Sequence, residues 1–363
     1  MQNELHTCAD VLICFQESAN WDFAMALTSA ERTGLCDALS RMGLLTGGER
    51  AKFVELTGGV SARIVSVTTP TQILCVKQAL ARLKVQADWA APLSRNSAEV
   101  SWLRMVGKIS PHSVPSVLGE DRLSSTFAMT YLDPVTYPVW KDQLLDGVVD
   151  RSVPVQLAQL LLRIHNLTAG NPDMEKAFAT DASFLALRLE PYFGAIAAIH
   201  RELAATLSEL SRSTLAERRA VVHGDVSPKN VLIGPKGPLL LDAECAWYGD
   251  PAFDLAFCLN HLLLKCVILP DQADALLQSF DAMVETYLAG IEWEPVKDFE
   301  SRAVALLPAL LLSRIDGKSP VEYIRHERSR QAIREFAKPL ILNPSASLAA
   351  IRTAWQRKKP HAE

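Results

Sequence analysis

No Cys-x-x-Cys pair occurs in this 363-residue chain, although it holds seven cysteines. Cys8, Cys14, Cys36, Cys75, Cys245, Cys258 and Cys266 are scattered and odd in number, which argues against a disulfide framework and for a reducing compartment. Cys75, Cys258 and Cys266 sit in apolar runs, where a thiol packs as a small hydrophobe. Charge of one sign is also missing: 37 Lys and Arg stand against 41 Asp and Glu, a formal net charge of −4. That balance gives no nucleic-acid footprint, though it still permits a local basic cleft. Residues 303–312 form an apolar stretch interrupted by Pro308, too short to cross a bilayer and better suited to a buried helix. The opening MQNELHTCADVLICF has an early acid and no basic flank, so it is a poor secretory signal. There is no internal repeat and no low-complexity segment. The expectation is a cytoplasmic protein without a membrane or nucleic-acid partner; its oligomeric state is open.

What is present is core material. The chain is 49% hydrophobic and 21% charged, and its length favours two domains or one bilobed unit. Residues 18–39 carry Phe23, Leu27, Leu35 and Leu39 at helical spacing, so residues 1–49 read as an N-terminal helical extension. Residues 53–60, 62–67 and 72–78 read as three strands, with Thr69-Pro70 as the turn between the last two. A helix is expected from Glu99, followed by breaks at Pro111, Pro115 and Gly119, then an extended segment over 125–130. Residues 50–131 thus form a small β-rich lobe. Residues 132–363 form a mostly helical lobe, beginning with the amphipathic pattern of residues 155–167. The basic tail from Trp355 is expected to fray.

Within the helical lobe the pattern changes once, at VVHGDVSPKNVLIGPKGPLLLDAECAWYGD, residues 221–250. Two apolar runs flank GPKGP, a hairpin signal. Asn230 stands at one end of its arms and Asp242 at the other. Antiparallel pairing brings their oxygens within reach of one magnesium ion, which takes hard oxygen ligands. Asp225, five residues before Asn230, can turn its carboxylate toward an incoming hydroxyl and take its proton late in phosphoryl transfer. The spacing therefore points to ATP and Mg2+ chemistry.

The pattern HGDxxxxN followed by a strand-borne aspartate resembles the aminoglycoside phosphotransferase and choline kinase superfamily, the small-molecule branch of the protein-kinase-like fold. That resemblance implies an α+β bilobed architecture and an ATP-dependent kinase that phosphorylates a small-molecule hydroxyl. It implies a catalytic role for Asp225 and metal-ligand roles for Asn230 and Asp242. The downstream GDPAFD supplies Asp250 and Asp254 as supports, and Glu244 has a lesser place near the metals. LTGGVSARIVSV resembles the family's nucleotide-covering loop, with Gly58, Gly59 and Ser61 near the phosphates. Lys77 resembles the strand lysine that holds the phosphates, and Glu99 its helical ion partner. The segment from Lys77 to Trp89 is similar to methylthioribose kinase, whereas the loop after HGD reads as in the broader phosphotransferases.

Blander roles stand beside these. His223 better fits packing and donation to backbone than proton shuttling. Lys77 can instead hold its ammonium in water, and Glu99 can be a solvated helix acid. Met129 and Tyr131 fall near the lobe junction, as adenine contacts or as core. Arg314 can bind an anionic or hydroxylated substrate, or pair with Asp316 or Glu322. Two other functions are compatible with these residues: a nucleotide-binding scaffold without turnover, and a kinase acting on a protein acceptor. Against the latter, GDPAFD follows Asp242 almost at once.

Overall fold

The computed structural model describes residues 27–46, 49–56, 61–80 and 92–358. The small lobe is a five-stranded antiparallel sheet in the order β1-β2-β3-β5-β4. Its strands are β1 (Lys52–Leu56), β2 (Ala62–Thr68), β3 (Ile73–Ala79), β4 (Val117–Asp121) and β5 (Thr126–Thr130). The three expected N-terminal strands are present within a residue or two where they are described; β4 was not expected. Gly119, which reads as a breaker, lies on that edge strand beside a register shift. A Cβ at Gly119 would meet Met42 at 2.9 Å, so the glycine lets α1 (Ser29–Arg41) approach the sheet. Leu35 and Leu39 of α1 share a core with Val65, Val67, Leu74 and Val76. A capping box between Thr28 and Glu31 starts this helix.

Between β3 and β4 runs α2 (Arg95–Ile109). It begins four residues before the expected start at Glu99. Its first turn buries Arg95 and Asn96, so no apolar periodicity announces it.

The large lobe has α3 (Trp140–Leu145), α4 (Ser152–Thr168), α5 (Ala252–Ile268), α6 (Ala273–Leu288), α7 (Val296–Asp316), α8 (Glu327–Leu342) and α9 (Leu348–Lys358) among its helices. Val153 to Ile164 bury one face of α4, as its pattern requires. Fraying from Trp355 does not occur through Lys358: Trp355 is 1% exposed and packs edge-on against Phe336 of α8. Residues 185–194 form a wide, π-type helix around Pro191, a geometry frequent at functional sites. The surrounding stretch Asp181–Ile199 is long and apolar enough to cross a membrane by length and composition, but half of it is buried in the large lobe's core.

Two small ribbons lie among the helices. The expected hairpin forms as β7 (Val231–Gly234) and β8 (Gly237–Leu240), with Val231 opposite Leu240. Beside it β6 (Ala220–Val222) pairs with β9 (Trp247–Gly249). These ribbons hold the two ends of the HGD-to-GDP segment against a core that includes Val221, Val222, Trp247 and Phe253.

Candidate active site

The segment His223-Gly224-Asp225 leaves β6 through a turn that only glycine fits. Gly224 has φ +77°, and a Cβ there would lie 2.8 Å from the Cys245 carbonyl oxygen. The turn is held from behind by Asp254, in the first turn of α5. Its carboxylate accepts the backbone N–H groups of His223 and Gly224, both at 2.8 Å. This is the bracing role expected of Asp254. Asp250 likewise supports: it accepts the Ala252 N–H and a two-pronged contact from Arg302 at 2.9 and 3.1 Å.

Both ring nitrogens of His223 are occupied. Nδ1 accepts the Asp225 N–H at 3.1 Å, so Nε2 carries the proton and donates to the Leu241 carbonyl at 3.0 Å. Burial lowers its pKa despite the nearby Asp254. The ring is a neutral strut between the His223–Asn230 loop and the end of β8, not a shuttle.

Asp225 is 3% exposed, and its carboxylate is bonded asymmetrically. Oδ2 takes Arg188 at 2.8 Å, the Asn230 amide at 2.8 Å and Lys229 at 3.3 Å. Oδ1 has no partner among the described residues. Burial works to raise this carboxyl, but Arg188 and then Lys229 outweigh it and the net direction is down. The group is therefore an ionised acceptor with one oxygen anchored and the other free.

Neither cation was assigned from the sequence. Lys229 sits inside the motif, four residues after Asp225, so spacing alone could have raised it. Arg188 lies 37 residues upstream on the π-type helix, and no sequence signal connects it to the loop. Its guanidinium also donates to the Gly224 carbonyl at 2.6 Å and the Leu187 carbonyl at 2.7 Å.

Across the cleft, Lys77 on β3 is 4% exposed and meets Glu99 of α2 at 2.7 and 2.9 Å. The Lys77–Glu99 pair expected from the sequence is thus formed, and neither group is solvated. Lys77 also contacts Asp242 directly. Burial opposes the ammonium, but Asp242 and Glu99 together raise its pKa and keep it charged. Burial raises Glu99 to about 7, with Lys77 pulling the other way. Asp242 is pulled down by Lys77 and Lys229 against its own burial. Its backbone is left-handed, with φ 64°, as Asp tolerates better than most residues.

The Leu241 N–H donates to the Asn230 carbonyl at 2.9 Å, which sets Asn230 beside Asp242 at the hairpin's open end. The Asn230 amide oxygen and Asp242 Oδ2 accept no hydrogen bond from described residues. Two hard oxygens left over at one end of a ribbon fit a divalent cation. No cluster of three His, Cys, Asp or Glu able to hold a metal occurs among the described residues.

Glu244 is paired with Arg95 at 3.1 Å. Arg95, fully buried and also missed from the sequence, donates to the carbonyls of Ser61 and Leu80, at 2.7 and 2.5 Å. It ties the start of β2, the end of β3 and the segment after Asp242 to α2. Ser61 is buried at the mouth of β2, while Gly58, Gly59 and Trp89 lie outside the described residues.

Arg314 occupies the last turn of α7 and does not interrupt the helix. It forms no ion pair with Asp316 or Glu322. Asp316 is held by Arg334 and His200, and Glu322 by Lys141. Arg314 instead donates to the Tyr192 hydroxyl at 3.1 Å and to both oxygens of Ser319.

The sequence profile of the Phosphotransferase enzyme family matches residues 52–283. The chain belongs to this family. The match runs from β1 through most of α6 and so contains every contact described between the two lobes at the cleft. Methylthioribose kinase 2 of Oryza sativa subsp. japonica is 26% identical over 230 residues, 55% of this phosphotransferase-family chain and 53% of that protein. Methylthioribose kinase of Escherichia coli O45:K1 is 23% identical over 245 residues, 60% and 58% respectively. The chain spans about half the length of the curated relatives it matches. Among solved structures, a choline/ethanolamine kinase family protein from Mesorhizobium loti superposes with TM-score 0.53 at 16% identity, covering 86% of this chain and 97% of that one. Plasmodium vivax ethanolamine kinase gives 0.52 at 9%, covering 93% and 90%. These two likenesses show the bilobed, protein-kinase-like fold.

Proposed function

We propose that this chain transfers the γ-phosphoryl group of ATP to a hydroxyl of a small-molecule metabolite. The observation that carries the reading is the convergence of Lys77, Glu99 and Asp242 from both lobes on one side of the cleft, with Asp225 beside them on an anchored loop. In this reading Lys77 holds the nucleotide phosphates and Glu99 fixes the lysine. The glycine-containing segment with Gly58, Gly59 and Ser61 covers the phosphates. Asn230 and Asp242 hold Mg2+, which neutralises phosphate charge when bound.

Asp225 receives the acceptor hydroxyl on its free Oδ1 while Arg188, Lys229 and Asn230 keep Oδ2 still. Such positioning places the nucleophile in line and leaves proton transfer late, as a carboxylate of depressed pKa requires. A small acceptor fits the short path from Asp242 to β9 and α5, which supplies no extended segment for a peptide. Methylthioribose, named by the relatives, is one neutral-sugar acceptor for the test panel. Cytoplasmic placement fits the buried free thiols of Cys75, Cys245, Cys258 and Cys266.

The test is acceptor-dependent ADP release over a panel of hydroxylated metabolites, with Mg-ATP binding followed in parallel. Turnover that falls by about 100-fold or more in Asp225→Asn while ATP binding persists supports the reading. Absence of Mg-ATP binding by the wild-type chain ends it.

A further inference from the structure

Beside the catalytic loop lies a narrow pocket of about 30 Å3 whose lining is cationic. Lys141 of α3, Lys229 of the loop, Lys265 of α5 and Arg314 of α7 reach it, and Glu322 is its one carboxylate. Lys229 is accessible to solvent, yet it stands within the cleft and also touches Asp225, so the pocket adjoins the reacting position.

The inner wall is underpartnered. Lys265 is 1% exposed and has no hydrogen bond or ion pair among the described residues; its ammonium lies 4.8 Å from the centre of the Tyr323 ring. His261, one turn earlier on α5, is 4% exposed and its Nε2 has no partner. The Arg314 Nε is buried and unpartnered as well. Glu322 is already paired with Lys141 at 2.6 Å. A buried ammonium without a counter-charge is costly, and proteins neutralise or pair it. Burial, with Lys141 and Arg314 nearby, lowers Lys265 to about 7 in the open pocket. Unpartnered donors converging on so confined a space suit a small anionic group such as a carboxylate.

We infer that this pocket takes the carboxylate of the acceptor, so that the chain phosphorylates a hydroxylated carboxylic acid. The inference rests on the phosphotransferase reading for its chemistry, and on the pocket alone for its charge. The acid group does not react. The bond between the γ-phosphorus and the β–γ bridging oxygen breaks, and the acceptor oxygen forms its bond to that phosphorus. The hydroxyl proton passes to Asp225 and then to solvent, and ADP leaves. Lys265, His261 and Arg314 fix the acid end while Asp225 faces the hydroxyl.

The first experiment needs no turnover. The melting temperature of the full chain is compared in sodium acetate and sodium chloride at equal ionic strength. Acetate should raise it by a few degrees at pH 6, and less at pH 9, where Lys265 has lost its proton. The other groups around Lys265 are Lys141, Lys229, Arg314, Glu322, Cys258, His261 and Tyr323. Lys265→Met should fold, since it replaces an unpaired buried cation by an apolar chain, and should abolish the acetate effect. No acetate effect in the wild type, or an equal one in Lys265→Met, overturns the inference. The second experiment is ADP release with hydroxy acids, their methyl esters, phosphorylated sugars, neutral sugars and amino alcohols. Acids should exceed their esters at least 100-fold in kcat/KM, and Lys265→Met should raise KM for the acid at least tenfold. A preference for any non-acid class, or for phosphorylated sugars, overturns the carboxylate assignment and leaves the phosphotransferase reading standing. Failure to bind Mg-ATP removes that reading and leaves the acetate result to judge the pocket.

Discussion

Arg188 and Asp225 form a buried ion pair in which the guanidinium holds one carboxylate oxygen at 2.8 Å and leaves the other free. Both side chains are 5–6% exposed, so the pair is shielded from solvent. The arrangement fixes the aspartate through one oxygen and leaves the other for a further hydrogen bond.

Asp225→Asn keeps the shape but removes the charge to which the proposed function gives the orienting of the hydroxyl. Turnover should fall by about 10²- to 10⁴-fold, the range of positioned acid–base groups. Mg-ATP affinity should change little. Steady-state kinetics beside calorimetric nucleotide binding checks both; parent-like turnover would remove Asp225 from the chemistry.

Lys77→Met should abolish tight nucleotide binding and destabilise the free protein, because it leaves the buried Glu99 without its cation. Breaking such a pair costs about 3–5 kcal/mol. Lys77→Met with Glu99→Gln should recover part of that stability, without recovering binding. Urea melts of the two variants and the wild type test the order.

Gly224→Ala should lose both stability and turnover. The alanine would need a left-handed backbone and would place its Cβ against the Cys245 carbonyl. The expected loss is about 1–3 kcal/mol from the backbone alone. A variant with parental melting temperature and activity would show that the turn is not confined as described.

Asp316 ties the end of α7 to α8 through Arg334, at 2.7 and 2.8 Å, and accepts His200 at 2.8 Å. Burial raises its carboxyl, but Arg334 and His200 outweigh it and the net direction is down. A carboxyl depressed in the folded state adds stability above its unfolded pKa of about 4, and that stability is lost as pH falls through the lower folded value. Asp316→Asn should therefore be less stable than wild type at pH 7, and the gap should narrow below pH 4. Thermal melts across that range decide it; a constant gap would assign the effect to packing.

Local pattern made much of this protein readable. The period-2 and helical repeats announced the β-rich lobe, α4 and the 230s hairpin, because those elements bury one face and the burial leaves a periodic trace. The spacing of Asp225, Asn230 and Asp242 was equally legible, since a short loop and a hairpin define their neighbourhood within some twenty residues. β4 and the first turn of α2 left no such trace: one is an edge strand with a glycine at a bulge, and the other buries polar residues.

Three things the linear chain could not state. Lys77 meets Asp242 across 165 positions, Arg95 meets Glu244 across 149, and Arg188 reaches a loop 36 residues away. Charges like these are indistinguishable from solvated surface in a sequence, because their partners are set by how helices pack and not by any local repeat. The residue types and their short-range spacing determined the motif and the fold class. Only the folded arrangement decided which oxygen of Asp225 is free, which two groups His223 spans, and that Lys265 ends in a pocket whose one carboxylate is already held by Lys141. Those outcomes follow from long-range packing that excludes water and chooses each charge's neighbours.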